Sequence, residues 1–281
     1  MKKHLFRLLL LSCLLAALPT RGQNDVQAEI ETLTARLEAA YRQLFPVDTP
    51  YRSGSSTVPE AFRSPLLDDF LEEWHRRYAP TETADRQRSD TLATVYDLFA
   101  EFSRPDMRIT VWRDGESQTI GRYRYVTVPE EFPYAVIDDE AFERLLQTGK
   151  FYEVRYTTLA PFRPDTPYSK SLYMSYVYAC ALDRFLGNRE CATDRAAPIP
   201  RLEDSEYRRR ADFICNNLPI TGGHWGGWIY EAEPRCFSIL LGASLDRAVI
   251  QVGYSSSGCS ALYRKADGNW TLERELSQWT Q

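Results

Sequence analysis

The chain has 281 residues, 43% hydrophobic and 26% charged, which is long enough for one large domain or two modest ones with a substantial core. It contains 34 basic and 39 acidic residues, and no basic cluster is larger than three consecutive arginines. Nucleic-acid binding depends on Lys and Arg side chains that neutralise phosphates, so this acidic balance argues against a nucleic-acid partner.

The first 22 residues are predicted to be a signal peptide. A basic start is followed by an apolar run over residues 8–18 and by a small-x-small cleavage pattern at residues 20–22. A lipobox that ends at Cys13 is the alternative, and it would make the protein an outer-membrane lipoprotein. Loss of this segment removes four basic residues and no acidic ones, which leaves 30 basic against 39 acidic residues and moves the formal charge from −5 to −9. We therefore expect an exported protein, periplasmic or secreted, without a transmembrane helix in the mature chain.

Apolar residues at helical spacing predict three helices before any strand, over residues 26–44, 65–78 and 89–102. A Pro-, Ser- and Gly-rich connection precedes the second helix, and a polar stretch over residues 79–88 precedes the third.

Residues 108–128 then change to strand-like alternation around a turn at Asp114-Gly115, which predicts a β-hairpin that includes the Val126 to Val128 run. Further strands are predicted over residues 134–137 and 151–159. Between them lies a helix over residues 138–148, capped by Asp138 and ended near Gly149.

The second half begins with predicted helices over residues 168–186 and 203–217. Five short strands follow, joined by turns that make them antiparallel neighbours: residues 228–231, 235–241, 247–254, 258–265 and 269–278. Trp270, Leu272 and Leu276 are expected on one face of the last strand. One face of the sheet is therefore predicted to lie in the core and the other to be exposed to solvent.

The predicted fold class is α+β, with N-terminal helices and a hairpin beside C-terminal helices packed on a curved antiparallel sheet. We divide the chain into the signal peptide (1–22), a helix-rich α+β region (23–165) and a helix-plus-antiparallel-sheet region (166–281).

The closing stretch from Cys259 to Trp279, with Gly268-Asn269-Trp270 after a turn, resembles the last strands of the NTF2-like superfamily. That resemblance covers roughly residues 170–281 and implies a cone-shaped sheet wrapped against helices around a cavity. It assigns no catalytic residue, because the superfamily shares a shape and no single signature. The whole chain otherwise resembles exported bacterial proteins of unassigned function.

Five cysteines remain after the signal peptide: Cys180, Cys191, Cys215, Cys236 and Cys259. A bridge between Cys180 and Cys191 is the one pairing that we single out. Cys236 and Cys259 are predicted on strands separated by a third, about 9 to 10 Å apart and beyond disulfide reach. Most of these cysteines are equally well explained as small buried hydrophobic residues.

The candidate ligand site is the glycine-bracketed stretch over residues 221–228. Its glycines would let the backbone approach a ligand, His224 would exchange protons near neutral pH, and Trp225, Trp228 and Tyr230 would offer aromatic faces to a sugar or another planar group. The alternative is structural: the glycines permit a tight turn between helix and sheet, and the tryptophans fill the core.

Two further combinations of Cys and His residues fit a catalytic site or a metal site poorly. A Cys259 and His224 pair lacks a visible orienting group, and Cys215, His224 and Cys236 lack zinc-ligand spacing, so no metal and no cofactor are expected. Three further features are interpreted as surface or capping groups: His75, the arginine trio over residues 208–210, and the adjacent carboxylates Asp68-Asp69, Glu72-Glu73 and Asp138-Asp139.

These observations favour a non-enzymatic protein that binds a small molecule or an envelope protein. The alternative is an NTF2-like hydrolase or isomerase that uses His224 as general base.

Overall fold

The computed structural model describes residues 22–46, 64–102, 104, 106, 108–110, 117–166, 169–187, 202–222, 228–230, 235–254 and 257–280. Within them the α-helices, numbered in chain order, are α1 (Gln23–Leu44), α2 (Pro65–Arg77), α3 (Glu82–Arg88), α4 (Asp90–Ala100), α5 (Asp139–Thr148), α6 (Tyr176–Leu186) and α7 (Asp204–Cys215). The strands are β1 (Arg108–Thr110), β2 (Ser117–Thr119), β3 (Tyr125–Pro129), β4 (Phe132–Ile137), β5 (Thr157–Leu159), β6 (Lys170–Met174), β7 (Thr221–Gly222), β8 (Trp228–Ile229), β9 (Arg235–Gly242), β10 (Arg247–Tyr254), β11 (Ser257–Ala266) and β12 (Asn269–Thr280).

Most predicted helices are confirmed, and α5 shows why its ends could be located. The Asp138 carboxylate accepts a hydrogen bond from the Ala141 amide at 2.8 Å, which caps the first turn. Gly149 follows the last turn with a φ of 68°, the left-handed conformation that favours glycine. The short helix α3 lies in a stretch that we predicted to be only a polar connection.

The prediction of one helix over residues 168–186 is wrong. Its first part is the strand β6, and α6 begins only at Tyr176. Leu172 and Tyr176 have helical spacing, but Leu172 lies in a strand whose three central residues are buried and which pairs in parallel with β3. Pairing with a distant strand therefore outweighs local periodicity at this position.

Two strand predictions also need correction. The hairpin consists of β1 and β2 alone, because the Val126 to Val128 run belongs to β3 and pairs with β6 instead. Residues 151–159 contain a 3-10 turn at Phe151–Glu153 and the short strand β5 rather than one long strand.

The main sheet has six strands in the order β12-β11-β10-β9-β4-β5. The antiparallel run from β9 to β12 is as predicted, but β4 pairs with β9 in parallel, so the sheet is mixed. The first strand predicted in this run, β8, instead forms a separate two-stranded sheet with β7. Because β4 and β9 come from the two halves of the chain, both halves contribute to one sheet. The chain is an α+β protein.

Both faces of the central strands are covered by helices, so the prediction that one face is exposed to solvent is wrong. Alternate residues of β9 point to opposite sides of the sheet. Ile239 belongs to the buried cluster that contains Val95 and Phe99 of α4. Leu240 belongs to the cluster that contains Phe142 of α5. The sheet is therefore sandwiched between α4 and α5.

The apolar residues of β12 do not share one core face as predicted. Two register shifts along the β11–β12 pair change which side of the sheet successive residues reach. Trp270 is buried in the cluster below α4, Leu276 packs against the cluster below α5, and Leu272 is 53% exposed.

A second core lies among the helices α1, α2, α6 and α7. Arg210 of α7 is buried there and is hydrogen-bonded to Glu38 of α1 and to Glu206 of its own helix. The predicted exposed arginine face is therefore wrong for Arg209 and Arg210, which are both buried, and holds for Arg208. The planar guanidinium of Arg210 can be buried because carboxylates on two helices accept its hydrogen bonds.

The predicted separation of Cys236 and Cys259 is confirmed. Both lie opposite Val252, on the strands that flank β10, and both are free thiols. Cys13 and Cys191 lie outside the described residues, so the lipobox and the pairing of Cys191 with Cys180 stay predictions. No helix within the described part of the chain is long and apolar enough to cross a membrane.

Replacement of Gly149 by Ala is expected to lower the free energy of unfolding by about 1 kcal/mol, because an L side chain is strained at a φ of 68°. A Cβ at this position would meet no atom within 4 Å, so the loss isolates the backbone. Gly149→Asn is the matched control and should lose less, since Asn tolerates this conformation. Urea unfolding measures both variants, and an Ala variant as stable as the parent would contradict the prediction.

Candidate functional site

The glycine-bracketed stretch is only partly described. His224 and Trp225 lie outside the described residues, whereas Trp228 and Tyr230 lie in β8 and directly after it. Trp228 is 9% exposed, and its ring lies 6.0 Å from the ring of Tyr207 on α7. The Tyr230 hydroxyl donates a hydrogen bond to the carboxylate of Asp183, a buried residue of α6. These two aromatic side chains therefore connect β8 to the helical core.

A pocket of about 390 Å³ lies elsewhere, where the end of α2 meets β6 and the residues before β3. We call it the His75 pocket. Eight of its nine lining residues have a polar or charged side chain: His75, Arg124, Asp165, Thr166, Ser169, Lys170, Ser171 and Tyr173; the ninth is Pro80.

The end of α2 is fixed on β6 by side-chain donors. The indole Nε1 of Trp74 donates to the Tyr173 carbonyl at 3.0 Å, and Nδ1 of His75 lies 3.0 Å from the Ser171 carbonyl. The ring of Trp74 also stacks on that of Tyr178 in α6, with centroids 4.1 Å apart. The apolar stripe of α2 buries Trp74 completely, and this burial places the next residue, His75, at the pocket.

The hydroxyl groups of the pocket are held by hydrogen bonds to the backbone and to each other. Thr166 Oγ1 donates to the Ser169 carbonyl at 2.6 Å and lies 2.8 Å from Ser171 Oγ. Ser169 Oγ donates to the Tyr123 carbonyl at 2.9 Å. One wall of the pocket is therefore a connected hydroxyl network with few free rotations.

The two basic side chains of the pocket, Lys170 and Arg124, are paired with an acid on α2. Glu72, one turn before His75 on α2, accepts hydrogen bonds from Lys170 and Arg124, the latter at 2.9 Å. The hydrogen bond from Lys170 lowers the pKa of the Glu72 carboxyl, and the nearby positive charges lower it further, against the raising effect of burial. Arg124 also approaches Asp68 at 3.9 Å.

Sequence patterns missed this pocket. The sequence predicts His75 to be exposed on a polar helix face, but it is half-buried and its Nδ1 lies 3.0 Å from the Ser171 carbonyl of β6, so that prediction is wrong. The sequence also predicts a helix at Lys170 and Ser171, which lie in a strand. The available signal was the break over residues 161–167 followed by Ser169-Lys170-Ser171, a cluster of polar residues directly before an apolar run.

The described residues contain no group of three or more His, Cys, Asp and Glu side chains that could hold a metal ion. Comparison with family models, with curated proteins and with solved structures finds no match to this chain. The function must therefore be argued from the chemistry of the site.

Glu72→Gln should lower the free energy of unfolding at pH 7, because Lys170 and Arg124 would lose their charged acceptor. The folded-state pKa of Glu72 is lowered, so its contribution is present above the unfolded pKa and is lost as the pH falls through the lower folded value. Urea unfolding should therefore show a difference between parent and variant at pH 7 that shrinks towards pH 3.

Glu73→Gln is the matched control for this prediction, because Glu73 is the next residue and pairs with Arg36 on a more exposed surface. Exposed pairs contribute up to about 1 kcal/mol, so its effect should be the smaller one. Equal losses in the two variants, or a Glu72→Gln effect that does not change with pH, would contradict the assignment.

Proposed function

We propose that the chain is an exported, non-enzymatic binding protein whose His75 pocket receives a small polar ligand. The observation that carries the proposal is the pocket itself, about 390 Å³ in volume, with eight polar or charged residues among the nine that line it. Small-ligand pockets span about 300 to 1,000 Å³ and fix orientation with a few well-placed polar groups.

Preorganisation supports this proposal. The lining residues Thr166 and Ser169 are held by hydrogen bonds to backbone carbonyls, and His75 is held against the Ser171 carbonyl. Side chains that are already fixed lose little further entropy when a ligand binds.

The same contacts favour binding over nucleophilic catalysis at this pocket. A serine nucleophile needs its hydroxyl hydrogen-bonded to a base such as histidine. Here the His75 nitrogen that reaches β6 contacts the carbonyl of Ser171, and the Ser171 hydroxyl lies against Thr166 instead. Among the described lining residues, no hydroxyl is hydrogen-bonded to His75.

Export is the part of the proposal that rests on the first 22 residues alone, with their basic start, apolar run and cleavage pattern. A periplasmic or secreted protein and a lipoprotein anchored through Cys13 are both compatible with a pocket that samples small solutes outside the cytoplasm.

An NTF2-like enzyme that uses His224 as general base is the second candidate. It is favoured by Asp183, a buried carboxylate that accepts a hydrogen bond from Tyr230, six residues after His224. Asp183 itself is far from His224 in sequence, and Tyr230 is the residue that links the two, because a base of this kind is oriented by a nearby carboxylate. His224 lies outside the described residues, so this candidate rests on sequence spacing.

The binding proposal predicts that a bulky side chain at the pocket blocks ligand binding. Pro80 is exposed and lines the pocket, and Ala79 is exposed but is not part of the lining, so Pro80→Trp and Ala79→Trp are a matched pair. A panel of monosaccharides, amino acids, dicarboxylates and inorganic phosphate would be screened by thermal unfolding and titration calorimetry.

At least one compound should bind the parent and Ala79→Trp proteins and bind Pro80→Trp at least tenfold more weakly. Binding that survives unchanged in Pro80→Trp would place the ligand elsewhere and would contradict the proposal. Chemical turnover of a bound compound that is abolished by His224→Ala would favour the enzyme instead.

A further inference from the structure

We infer that the ligand of the His75 pocket is a neutral, hydroxyl-rich molecule of about one sugar ring, which donates hydrogen bonds to an acceptor-rich wall. This inference rests on the proposed binding function and narrows its ligand class. The wall of the pocket uses its own hydroxyl protons inside the protein, and this determines which ligand groups it can bind.

Each hydroxyl has one proton to donate and two lone pairs that accept. The proton of Thr166 goes to the Ser169 carbonyl at 2.6 Å, so the Thr166 oxygen is the acceptor in its 2.8 Å contact with Ser171. The Ser171 proton has two acceptors inside the protein, that oxygen and the Pro164 carbonyl at 3.4 Å. The proton of Ser169 goes to the Tyr123 carbonyl. All three hydroxyl protons are therefore used inside the protein, and the oxygens keep lone pairs for a ligand.

His75 follows the same pattern. A carbonyl oxygen only accepts, so Nδ1 must carry the proton in its 3.0 Å contact with Ser171. In the neutral ring the proton-free Nε2 is then an acceptor. Nε2 has no hydrogen-bond partner among the described residues. Asp165 also lines the pocket, and its carboxylate has two oxygens that only accept.

The charges near the pocket favour a neutral ligand. An anion would have to compete with Glu72, which already binds Lys170 and Arg124. A cation would be attracted by Asp165, the one acid among the lining residues, but would face those same two basic side chains, since both line the pocket. An uncharged ligand with many hydrogen-bond donors neither competes with Glu72 nor is repelled by the two basic side chains. Sugars and polyols, with their many hydroxyl groups, are ligands of this kind.

Matched sugars test the inference directly. Glucose, galactose and mannose would each be compared with the uronic acid and the amino sugar of the same ring by saturation-transfer NMR and titration calorimetry on the mature protein. We expect at least one neutral sugar to bind, with an affinity at least tenfold above those of its two charged counterparts.

Two variants remove acceptors without removing the pocket. His75→Asn keeps an amide donor near the position of Nδ1 and loses Nε2, and Asp165→Ala loses the exposed carboxylate. Each should weaken sugar binding about tenfold, the usual effect of one lost hydrogen bond. Asp69→Ala, which removes an exposed acid of α2 outside the pocket, is the charge-matched control and should bind like the parent.

The outcomes separate this inference from the proposed function. If an acid or amino sugar binds as tightly as its neutral counterpart and Pro80→Trp abolishes that binding, the pocket is real and the ligand class is wrong. If no neutral sugar binds, or if His75→Asn and Asp165→Ala both bind like the parent, the inference is also wrong. If no compound of any class binds in a way that Pro80→Trp abolishes, the proposed function fails as well.

Discussion

The junction between α2 and the outer edge of β6 is the contact on which the site depends. A two-stranded parallel sheet leaves backbone groups unpaired along its free edges, and such groups need partners when they are buried. The Ser171 and Tyr173 carbonyls are two residues apart and therefore lie on the same edge of the strand. They accept hydrogen bonds from His75 and Trp74, neighbours at the end of α2.

This junction also sets the chemistry of the pocket. Because the Ser171 carbonyl uses Nδ1 of His75, the other ring nitrogen is left as the acceptor. Because Lys170 begins β6 beside Ser171, its ammonium reaches Glu72 one helical turn before His75. The backbone pairing of β6 thereby determines both the histidine tautomer and the neutralisation of the neighbouring basic side chains. A structural constraint on a strand edge becomes the basis of the proposed ligand preference.

Much of the fold could be predicted because local signals agreed with the final packing. Helix α5 has a capping aspartate and a terminal glycine, and the antiparallel run from β9 to β12 has a turn signal at each connection. Strand β6 was not predictable because the spacing of Leu172 and Tyr176 fits a helix equally well. Only the pairing with β3 decides between helix and strand. Spacing along the chain contains no information about a parallel partner more than forty residues away.

The site could be predicted less well than the fold, for a related reason. The residues that line the His75 pocket come from three separate stretches of the chain, at 75–80, 124 and 165–173, and none has a motif. His75 resembles any polar residue next to a buried tryptophan until β6 is placed beside it. The glycine-bracketed stretch has an unusual composition, yet its described aromatic residues, Trp228 and Tyr230, contact the helical core. In this protein the stretch with the most unusual composition and the pocket lie in different places, so composition did not indicate where the pocket is.

The tautomer of His75 is the most direct test of this account, and long-range nitrogen–proton NMR on the neutral imidazole can measure it. The chain contains only three histidines, so the signal can be assigned with a single His75→Asn variant. The account predicts that the proton resides on Nδ1, bonded to the Ser171 carbonyl, with Nε2 unprotonated. A neutral ring protonated on Nε2 would contradict the α2–β6 junction and, with it, the acceptor-rich wall of the pocket.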